Sequence, residues 1–408
     1  MAKFAVVGRC NAVNMIEFGP MRIFVLGAGG TGSLLAHLLA RQGHSVWCGD
    51  RDTERARLFL GKKSAIPIVE ANARNLWSIV RAGRGANLVV NASPAVFNQI
   101  VLRAALRLRA HYIDLNAHLT RNMFKPEQYQ FHKRFVARNR AAVICAGIAP
   151  GLTNLLAKRG AELLDSVESI QIRLFESTES KDPVSTWSAD GAYDEAISNP
   201  RIYREGRFKL AKRFAEREKF RFPQPIGETP VYLAAQDEVC MLPYVIPARD
   251  VNAKIGGTDF ERLYRWYRQG RLNRSAGLVR KRFPSTPTPR QVAKLIRKGI
   301  LENARFAAAV LVRGVKDEQP LLLRWDVSVP TLYQIRRRGL ISTPISYATA
   351  HIAAIFIKHF PRGSAGVMGP SELALEKRRA IVSDFRSRDF GIALKTAKIR
   401  RPPDEEEF

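Results

Sequence analysis

A glycine-rich turn is the feature of this sequence that most restricts its fold. Residues 27–32 read Gly-Ala-Gly-Gly-Thr-Gly and follow an apolar run, residues 21–26, that has the length of a buried strand. Residues 33–41 have helical spacing, and residues 45–49 form a second strand-like run. This order of strand, glycine turn, helix and strand predicts one β-α-β unit with parallel strands.

The glycines at positions 27, 29 and 32 have the spacing GxGxxG, in which each glycine has its own physical reason. The first permits the tight turn, the second lets the backbone approach a pyrophosphate, and the third lets helix and strand pack closely. The start of the helix offers free N–H groups and a partial positive charge to phosphates. The alternative is a glycine-rich turn without a ligand. We predict that a dinucleotide binds at Gly27, Gly29, Gly30, Thr31 and Gly32.

Two charged residues at the end of the second predicted strand bear on which dinucleotide binds. Asp50 lies about twenty residues beyond the turn, where a carboxylate accepts hydrogen bonds from the adenosine ribose 2′-hydroxyl of NAD. Arg51 follows it, and a guanidinium there can hold the 2′-phosphate of NADP, although it is otherwise a solvated surface residue. The two signals conflict. We predict NAD as the cofactor, with NADP as the alternative.

The alternation of strands and helices continues along the first third of the chain. Four more apolar runs alternate with helical segments, at residues 65–70, 86–91, 111–115 and 141–146. Each parallel crossover needs a helix, so this order is typical of an α/β fold. We predict a Rossmann-type, doubly wound parallel sheet over residues 21–146.

The pattern changes after residue 150 and predicts a second, α+β domain. Residues 167–175 alternate apolar and polar side chains with period two, which indicates a strand with one solvated face. Residues 288–311 look helical, and residues 311–327 are typical of an antiparallel hairpin. We expect this domain, residues 147–344, to bind the substrate and to form the contact of a homodimer.

The two ends of the chain have different predicted roles. Residues 345–400 contain an apolar helical stretch, and we expect this segment to rejoin the first domain. Residues 1–20 carry no motif and no continuous apolar core of a secretory signal, so we interpret them as an N-terminal extension. The 408 residues therefore predict two domains with a discontinuous boundary.

Residues that follow the fourth and fifth predicted strands are candidates for the ligand crevice, because that crevice lies beyond the carboxyl ends of such strands. Ala92, Ser93 and Pro94 leave room for the nicotinamide ribose. Ser93 as a helix N-cap before Pro94 fits the spacing equally well. After the fifth strand, a carboxylate at Asp114 can relay a proton from a substrate amine, while a capping role for Asp114 is the alternative.

Residues 147–154, Gly-Ile-Ala-Pro-Gly-Leu-Thr-Asn, resemble the PG motif of the saccharopine dehydrogenase-like oxidoreductases. Residues 86–94, 112–115 and 312–314 also resemble segments of that family. The resemblance implies NAD(P)-dependent chemistry at a carbon–nitrogen bond of an amino acid or a polyamine-like substrate. Saccharopine reductases carry Asp and His in the PG motif where this chain has Ala149 and Asn154, which puts saccharopine itself in doubt.

The predicted reaction passes a hydride between the nicotinamide and a C=N or CH–NH carbon, so the protein positions that carbon and handles one proton. We predict that Asp114 and His118 handle the proton. A substrate carboxylate would be held by Arg173 or by the N-terminus of the helix after Gly151. The predicted substrate-binding residues are Asn116, Pro150, Gly151, Asn154 and Arg173.

Composition limits the remaining classes of protein. The net charge of +29 is spread along the chain without a long Lys/Arg block, which favours attraction of a small anionic or amino-acid substrate over nucleic-acid binding. Four cysteines without paired spacing predict neither a disulfide framework nor a metal site, and fit a cytoplasmic setting. No apolar run reaches the roughly 18 to 20 residues of a membrane span. A catalytically silent dinucleotide-binding redox sensor is the alternative function.

Overall fold

Two β-sheets form the framework of the protein. The computed structural model describes residues 19–119, 122–185, 187–272, 284–387 and 390–398. The strands in those ranges are β1 (Arg22–Leu26), β2 (Ser45–Asp50), β3 (Ile68–Glu70), β4 (Leu88–Asn91), β5 (His111–Asp114), β6 (Ala141–Val143), β7 (Ser166–Ser180), β8 (Arg201–Arg204), β9 (Arg207–Leu210), β10 (Glu218–Arg221), β11 (Glu228–Leu233), β12 (Ala248–Gly256), β13 (Leu301–Lys316), β14 (Gln319–Ser328), β15 (Gly366–Met368) and β16 (Gly391–Lys398). Nearly all of the predicted extension, residues 1–20, lies outside the described residues.

Helices cover these sheets and connect their strands. The α-helices of the described ranges are α1 (Gly30–Arg41), α2 (Thr53–Leu60), α3 (Leu76–Ala82), α4 (Asn98–Leu108), α5 (His132–Val136), α6 (Leu152–Ala161), α7 (Ala189–Ile197), α8 (Thr258–Arg268), α9 (Pro289–Arg297), α10 (Leu332–Arg337), α11 (Pro344–Lys358) and α12 (Leu375–Arg386). Short 3-10 turns add Ala95–Phe97, Glu127–Phe131, Asp237–Cys240, Leu242–Tyr244 and Pro370–Glu372.

The first sheet has the predicted parallel, doubly wound architecture. Its strand order is β15-β6-β5-β4-β1-β2-β3, and every neighbouring pair is parallel. The central strand β1 is buried on both faces, as its unbroken apolar sequence requires. The outer strand β15 comes from the C-terminal part of the chain and pairs with β6. The prediction of a Rossmann-type α/β fold is thereby confirmed.

The second sheet is mixed and is built on two long strands. Its order is β10-β11-β12-β7-β13-β14-β16. In addition, β8 pairs with β12, and β9 pairs with β8. Strand β7 pairs in parallel with β12 and antiparallel with β13. The predicted hairpin is present as β13–β14, and its turn residues Asp317 and Glu318 have φ of 48° and 60°. Positive φ at both central residues is the geometry of the tight turns that match the twist of paired strands.

One expected helix is only partly present. Helix α9 begins at Pro289 after the N-cap Thr288, but it ends at Arg297, and Gly299 with a φ of 63° stops the helix. The alanine-rich stretch that follows forms β13, because its backbone pairs with β7 and β14 and its apolar side chains are buried on the faces of the sheet. The expectation of a helix through residue 311 was therefore wrong, since strand pairing overrides helix propensity here.

Helix α11 links the two sheets. It packs against α1 beside the first sheet and against β13 of the second. Its side chains are buried almost all round, from Ile352 to Ile357 without a break. Each large apolar side chain buried in this way contributes roughly 1.5–3 kcal/mol to stability. Even this helix is too short to cross a bilayer, and the described ranges contain no longer apolar one.

Candidate functional site

The glycine turn has the geometry that each predicted glycine role requires. Gly27 has a φ of 95°, and a Cβ there would lie 2.8 Å from the backbone of Ala92 and Ser93. A Cβ on Gly32 would lie 1.9 Å from the Gly27 carbonyl oxygen. Gly29 differs, because a Cβ there would meet nothing within 4 Å and would stand in open space. That open side, at the start of α1, fits a pyrophosphate that approaches the backbone.

Asp50 is held next to this turn. Its Oδ2 accepts a hydrogen bond from the Ala28 N–H at 2.9 Å, and its Oδ1 accepts one from the Asp52 N–H at 3.1 Å. The carboxylate is thus fixed at the end of β2, where the predicted contact with a ribose hydroxyl requires it. Arg51 is exposed and faces the same cleft.

A wide cleft of about 890 Å³ separates the first sheet from the second. On the side of the first sheet it is lined by ends of strands, as in other open parallel sheets. The predicted cofactor-site residues that line it are Gly29, Gly30, Thr31, Gly32, Arg51, Ala92, Ser93 and Pro94. The structure therefore brings most of the predicted cofactor residues together on one wall.

A chain of amides fixes the loops after β4 and β5. The Ser93 hydroxyl and N–H both donate to Asn91 Oδ1, at 2.5 and 3.1 Å. Asn91 Nδ2 donates to Asn98 Oδ1 at 2.7 Å, and Asn98 Nδ2 donates to the Asn116 carbonyl at 2.8 Å. Ser93 is therefore not the N-cap of the following helical turn, because Pro94 occupies that position. The hydroxyl of Ser93 instead shapes the cleft wall.

Asp114 lies beneath the floor of the cleft. It is 1% exposed and accepts hydrogen bonds from Tyr112 Oη at 2.8 Å, Gln128 Nε2 at 3.2 Å and the Cys145 N–H at 2.7 Å. Burial raises the pKa of the Asp114 carboxyl to about 7, and these hydrogen bonds oppose the increase. Because all three contacts are internal, its position does not favour a direct contact with substrate.

His118 does line the cleft. Its side chain is 19% exposed, and Nδ1 lies 3.4 Å from Glu127 Oε2. Beside it, Asp237 Oδ2 accepts a hydrogen bond from the Ala117 N–H at 3.0 Å. Burial raises the pKa of Asp237, while the neighbouring charges of Arg201 and His118 oppose the increase. Asp237, which sequence reasoning missed, is thus docked at the end of β5 from the second domain.

The wall opposite the glycine turn is rich in carboxylates. Gln236 Nε2 donates to Glu195 Oε1 at 2.5 Å. The pKa of Glu195 is raised first by burial and then by neighbouring acids, Glu176 foremost among them. The acidic residues that line the cleft, which we call the acidic wall, are Glu176, Asp194, Glu195 and Asp237.

Of the predicted substrate residues, Asn116 and Pro150 line the cleft, whereas Gly151 and Asn154 do not. Asn154 Oδ1 accepts a hydrogen bond from the Gly151 N–H at 2.9 Å. The next two N–H groups, of Leu152 and Thr153, donate to backbone carbonyls at 3.0 and 3.2 Å. The first N–H groups of α6 are therefore occupied, which does not favour binding of a substrate carboxylate at this helix N-terminus.

Arg173 lies on the other face of the second sheet. It is 2% exposed, and its guanidinium donates to Glu218 Oε1, to Asn252 Oδ1 at 2.8 Å and to Gln171 Oε1 at 3.3 Å. The next residue, Leu174, lines the cleft instead, because neighbouring residues of a strand point to opposite faces. The position of Arg173 therefore does not support the predicted contact with a substrate carboxylate.

Comparison with known proteins agrees with this geometry. The family described as "Saccharopine dehydrogenase NADP binding domain" matches residues 23–143, which span β1 to β6. Apo saccharopine dehydrogenase (L-Glu forming) from Saccharomyces cerevisiae is similar in fold, with a TM-score of 0.67 and 13% identity over 93% of this chain and 100% of that chain.

Two further solved structures match with lower scores. GenD2 from gentamicin A biosynthesis, in complex with NAD, has a TM-score of 0.40 and 11% identity over 97% of this chain and 100% of its own. A mutant meso-diaminopimelate dehydrogenase of Clostridium tetani E88 has a TM-score of 0.39 and 10% identity over 88% of this chain and 96% of its own. Residues 23–143 therefore match the NADP-binding domain of the saccharopine dehydrogenases, which supports a nicotinamide dinucleotide as the cofactor, and the fold of the whole chain is similar to that of saccharopine dehydrogenase.

Proposed function

We propose that this protein transfers a hydride between NAD(P) and a carbon–nitrogen bond of an amino acid or polyamine-like substrate. The acidic wall is the observation that carries the proposal. In a chain with a net charge of +29, these four acidic residues line the second-domain side of the cleft, where Arg201 is the one arginine among the described lining residues, and this excess of carboxylates favours a cationic ligand such as an amine. Burial raises the pKa of Glu195 and Asp237, and a cation in the cleft would favour their ionised forms, because opposite charges interact more strongly away from water.

The chain's own residues account for placement of the cofactor. The first turn of α1 and the open side of Gly29 would hold the pyrophosphate, and Asp50 would hold the adenosine ribose. The loop from Ala92 to Pro94 would leave room for the second ribose. When bound, the nicotinamide supplies or accepts the hydride. Its reactive ring would then lie near the end of β5, between His118 and the acidic wall.

One proton must also be handled. Oxidation of an amine to an iminium requires the neutral amine, so a base must first take a proton from the ammonium group. We assign this task to His118, which the sequence predicted, and to Asp237, which is docked beside it. The raised pKa of Asp237 brings it closer to neutral pH, where a general base works best. For Asp114 we propose a positioning role, since it holds the backbone at Cys145.

Reduction of NAD+ and NADP+ by a panel of amines and amino acids tests the proposal. We expect turnover with at least one of these amines, and a loss of at least about 100-fold in kcat/KM for Asp237→Asn. Glu318→Gln, an exposed change at the β13–β14 turn, is the matched control and should leave the rate unchanged. Tight cofactor binding without turnover of any amine would contradict the proposal and favour a silent redox sensor.

The proposal extends to the oligomeric state, the cellular location and the extent of the first domain. We propose a cytoplasmic homodimer whose first domain, residues 21–146, is rejoined by residues 345–386. The predicted segment extended to residue 400, but β16 pairs with β14 and belongs to the second sheet. Pairing of β15 with β6 and packing of α11 on α1 support that rejoining. Measurement of the mass in solution by light scattering tests the dimer, and a monomer at all concentrations would contradict it.

A further inference from the structure

We propose that Arg201 binds a carboxylate of the substrate, so that the substrate is an amino acid or a carboxylated polyamine and not a simple polyamine. The inference rests on the proposed function and narrows it. Arg201 is the first residue of β8 and lines the cleft in the second domain.

Arg201 is buried, and its guanidinium forms no ion pair with the described residues. It is 8% exposed, its Nε has no hydrogen-bond partner, and within the described ranges no carboxylate lies in ion-pair distance of its guanidinium. A largely buried guanidinium has lost much of its water, and the nearby charge of Asp237 compensates this loss only in part, because the two groups form no hydrogen bond. An anion that enters the cleft would offset the remaining loss.

Arg173 provides the internal comparison. It is even more deeply buried, yet its guanidinium has Glu218, Asn252 and Gln171 as partners. The protein therefore satisfies a buried arginine fully where that arginine serves the fold. Arg201 lacks such partners and faces the cleft, which indicates that its partner is a ligand.

The neighbours of Arg201 indicate which ligand. Arg201 lies close enough to Asp237 to lower the pKa of that carboxyl, and Asp237 is anchored on Ala117 at the end of β5. A carboxylate on the planar fork of Arg201 and an ammonium group on Asp237 would then be bound side by side. An ammonium group and a carboxylate attached to the same carbon are the head of an α-amino acid.

A cofactor phosphate is a less suitable partner for Arg201. The pyrophosphate turn follows β1, whereas Asp237 and Arg201 meet the end of β5, and β4 lies between these two strands. Neighbouring strands are about 4.8 Å apart, so the two positions are about 10 Å from each other across the sheet. Arg201 therefore belongs to the substrate end of the cleft.

Pairs of ligands that differ only in the α-carboxylate test the inference. We would titrate L-lysine against cadaverine, L-ornithine against putrescine, and L-alanine against ethylamine, by calorimetry on the protein saturated with NADH. We expect at least one carboxylated member to bind at least tenfold tighter than its partner. Arg201→Met should abolish that preference and Arg201→Lys should retain part of it, while the Kd for NADH stays unchanged.

Arg207→Met is the matched control, because Arg207 is exposed on the paired strand β9 of the same hairpin. Equal binding within every pair, failure of every carboxylated ligand to bind, or a preference that survives in Arg201→Met would each overturn the inference. A tenfold weaker Kd for NADH in the folded Arg201→Met variant would assign Arg201 to the cofactor instead. Carboxylate preference without any turnover would leave Arg201 as a carboxylate site and contradict only the proposed reaction.

Discussion

The two walls of the cleft differ in the groups that would bind a ligand, backbone on one side and charged side chains on the other. The wall on the first sheet is made of backbone: Gly27, Gly29 and Gly32 shape a turn whose N–H groups and open side receive a ligand. The acidic wall is made of side-chain charge, and its carboxylates come from segments far apart in sequence. One wall binds through fixed geometry, the other through electrostatics.

This difference has a functional consequence. The backbone wall can accept the same phosphate group in many proteins, because every residue supplies the same N–H donor. The charged wall is adjustable, because one substitution changes which ligand charge is favoured. We therefore expect changes in the glycine turn to affect binding in an all-or-none manner, and changes in the acidic wall to be graded and dependent on pH.

The largest expected effect lies in the glycine turn. Gly29→Val should abolish binding of NAD(H) and NADP(H) while the protein stays folded, because the new side chain fills the pyrophosphate space and meets no protein atom. Gly32→Val should instead destabilise the domain, since its Cβ would lie 1.9 Å from the Gly27 oxygen. Fluorescence titration and thermal melting separate the two effects.

Gly363→Ala is the control for these variants, because that glycine is exposed and also has open space around its Cβ. It should bind cofactor normally. Unchanged affinity in Gly29→Val would show that the dinucleotide does not cross the turn at this residue.

The sequence predicted the backbone wall because local order encodes it. The GxGxxG spacing, the buried strand before it and the helix after it all lie within one continuous segment. The positions of charged side chains were harder to predict. Asp114 and Arg173 are in plausible segments, yet one lies under the floor and the other on the far face of β7.

Sequence reasoning missed Asp237 and Arg201 because their positions at the cleft depend on how the two domains pack. No motif assigned a functional role to either residue, and each reaches the cleft only because the second domain packs against the end of β5. A signal was present in the acidic Asp237–Glu238 pair, which stands between apolar residues of a strongly basic chain. Contacts between residues 117 and 237 depend on tertiary packing, which periodicity does not report.

The next largest effect is expected behind the acidic wall, where stability should depend on pH. Glu238 is fully buried behind the acidic wall, and its Oε1 accepts a hydrogen bond from Thr153 Oγ1 at 2.8 Å. Burial raises the pKa of Glu238 from 4.5 to about 7, while the Thr153 bond opposes the increase. Between these two values the folded state holds a proton that the unfolded state has lost, so stability falls as pH rises.

Glu238→Gln imitates the protonated acid and removes this dependence. The free energy of unfolding of the wild type, relative to the variant, should fall by about 3 kcal/mol between pH 4.5 and 7 and stay constant above pH 7. Urea unfolding at a series of pH values measures the difference, with exposed Glu318→Gln as the control. Parallel curves for wild type and Glu238→Gln would show that folding does not raise the pKa of Glu238.

The smallest effect is expected at the adenosine end of the cleft, where a charged side chain lies against the backbone of the glycine turn. Asp50 is a charged side chain, but the Ala28 N–H of the glycine turn holds it in place at 2.9 Å. A carboxylate fixed there accepts from the 2′-hydroxyl of NAD and repels the 2′-phosphate of NADP. We therefore expect NAD to be preferred, and Asp50→Ser to shift the ratio of the two Kd values about tenfold towards NADP.

Arg51 is the competing residue, and its exposure decides how much it contributes. The long-range field of a +29 chain favours the more anionic NADP, but salt screens it beyond about 8 Å at physiological ionic strength. A direct contact must therefore settle the preference, and exposed Arg51 is held less firmly than Asp50. Arg51→Ala should change the Kd ratio little at fixed ionic strength. A wild-type preference for NADP that disappears in Arg51→Ala would mean that the flexible charge, and not the carboxylate fixed by the backbone, selects the cofactor.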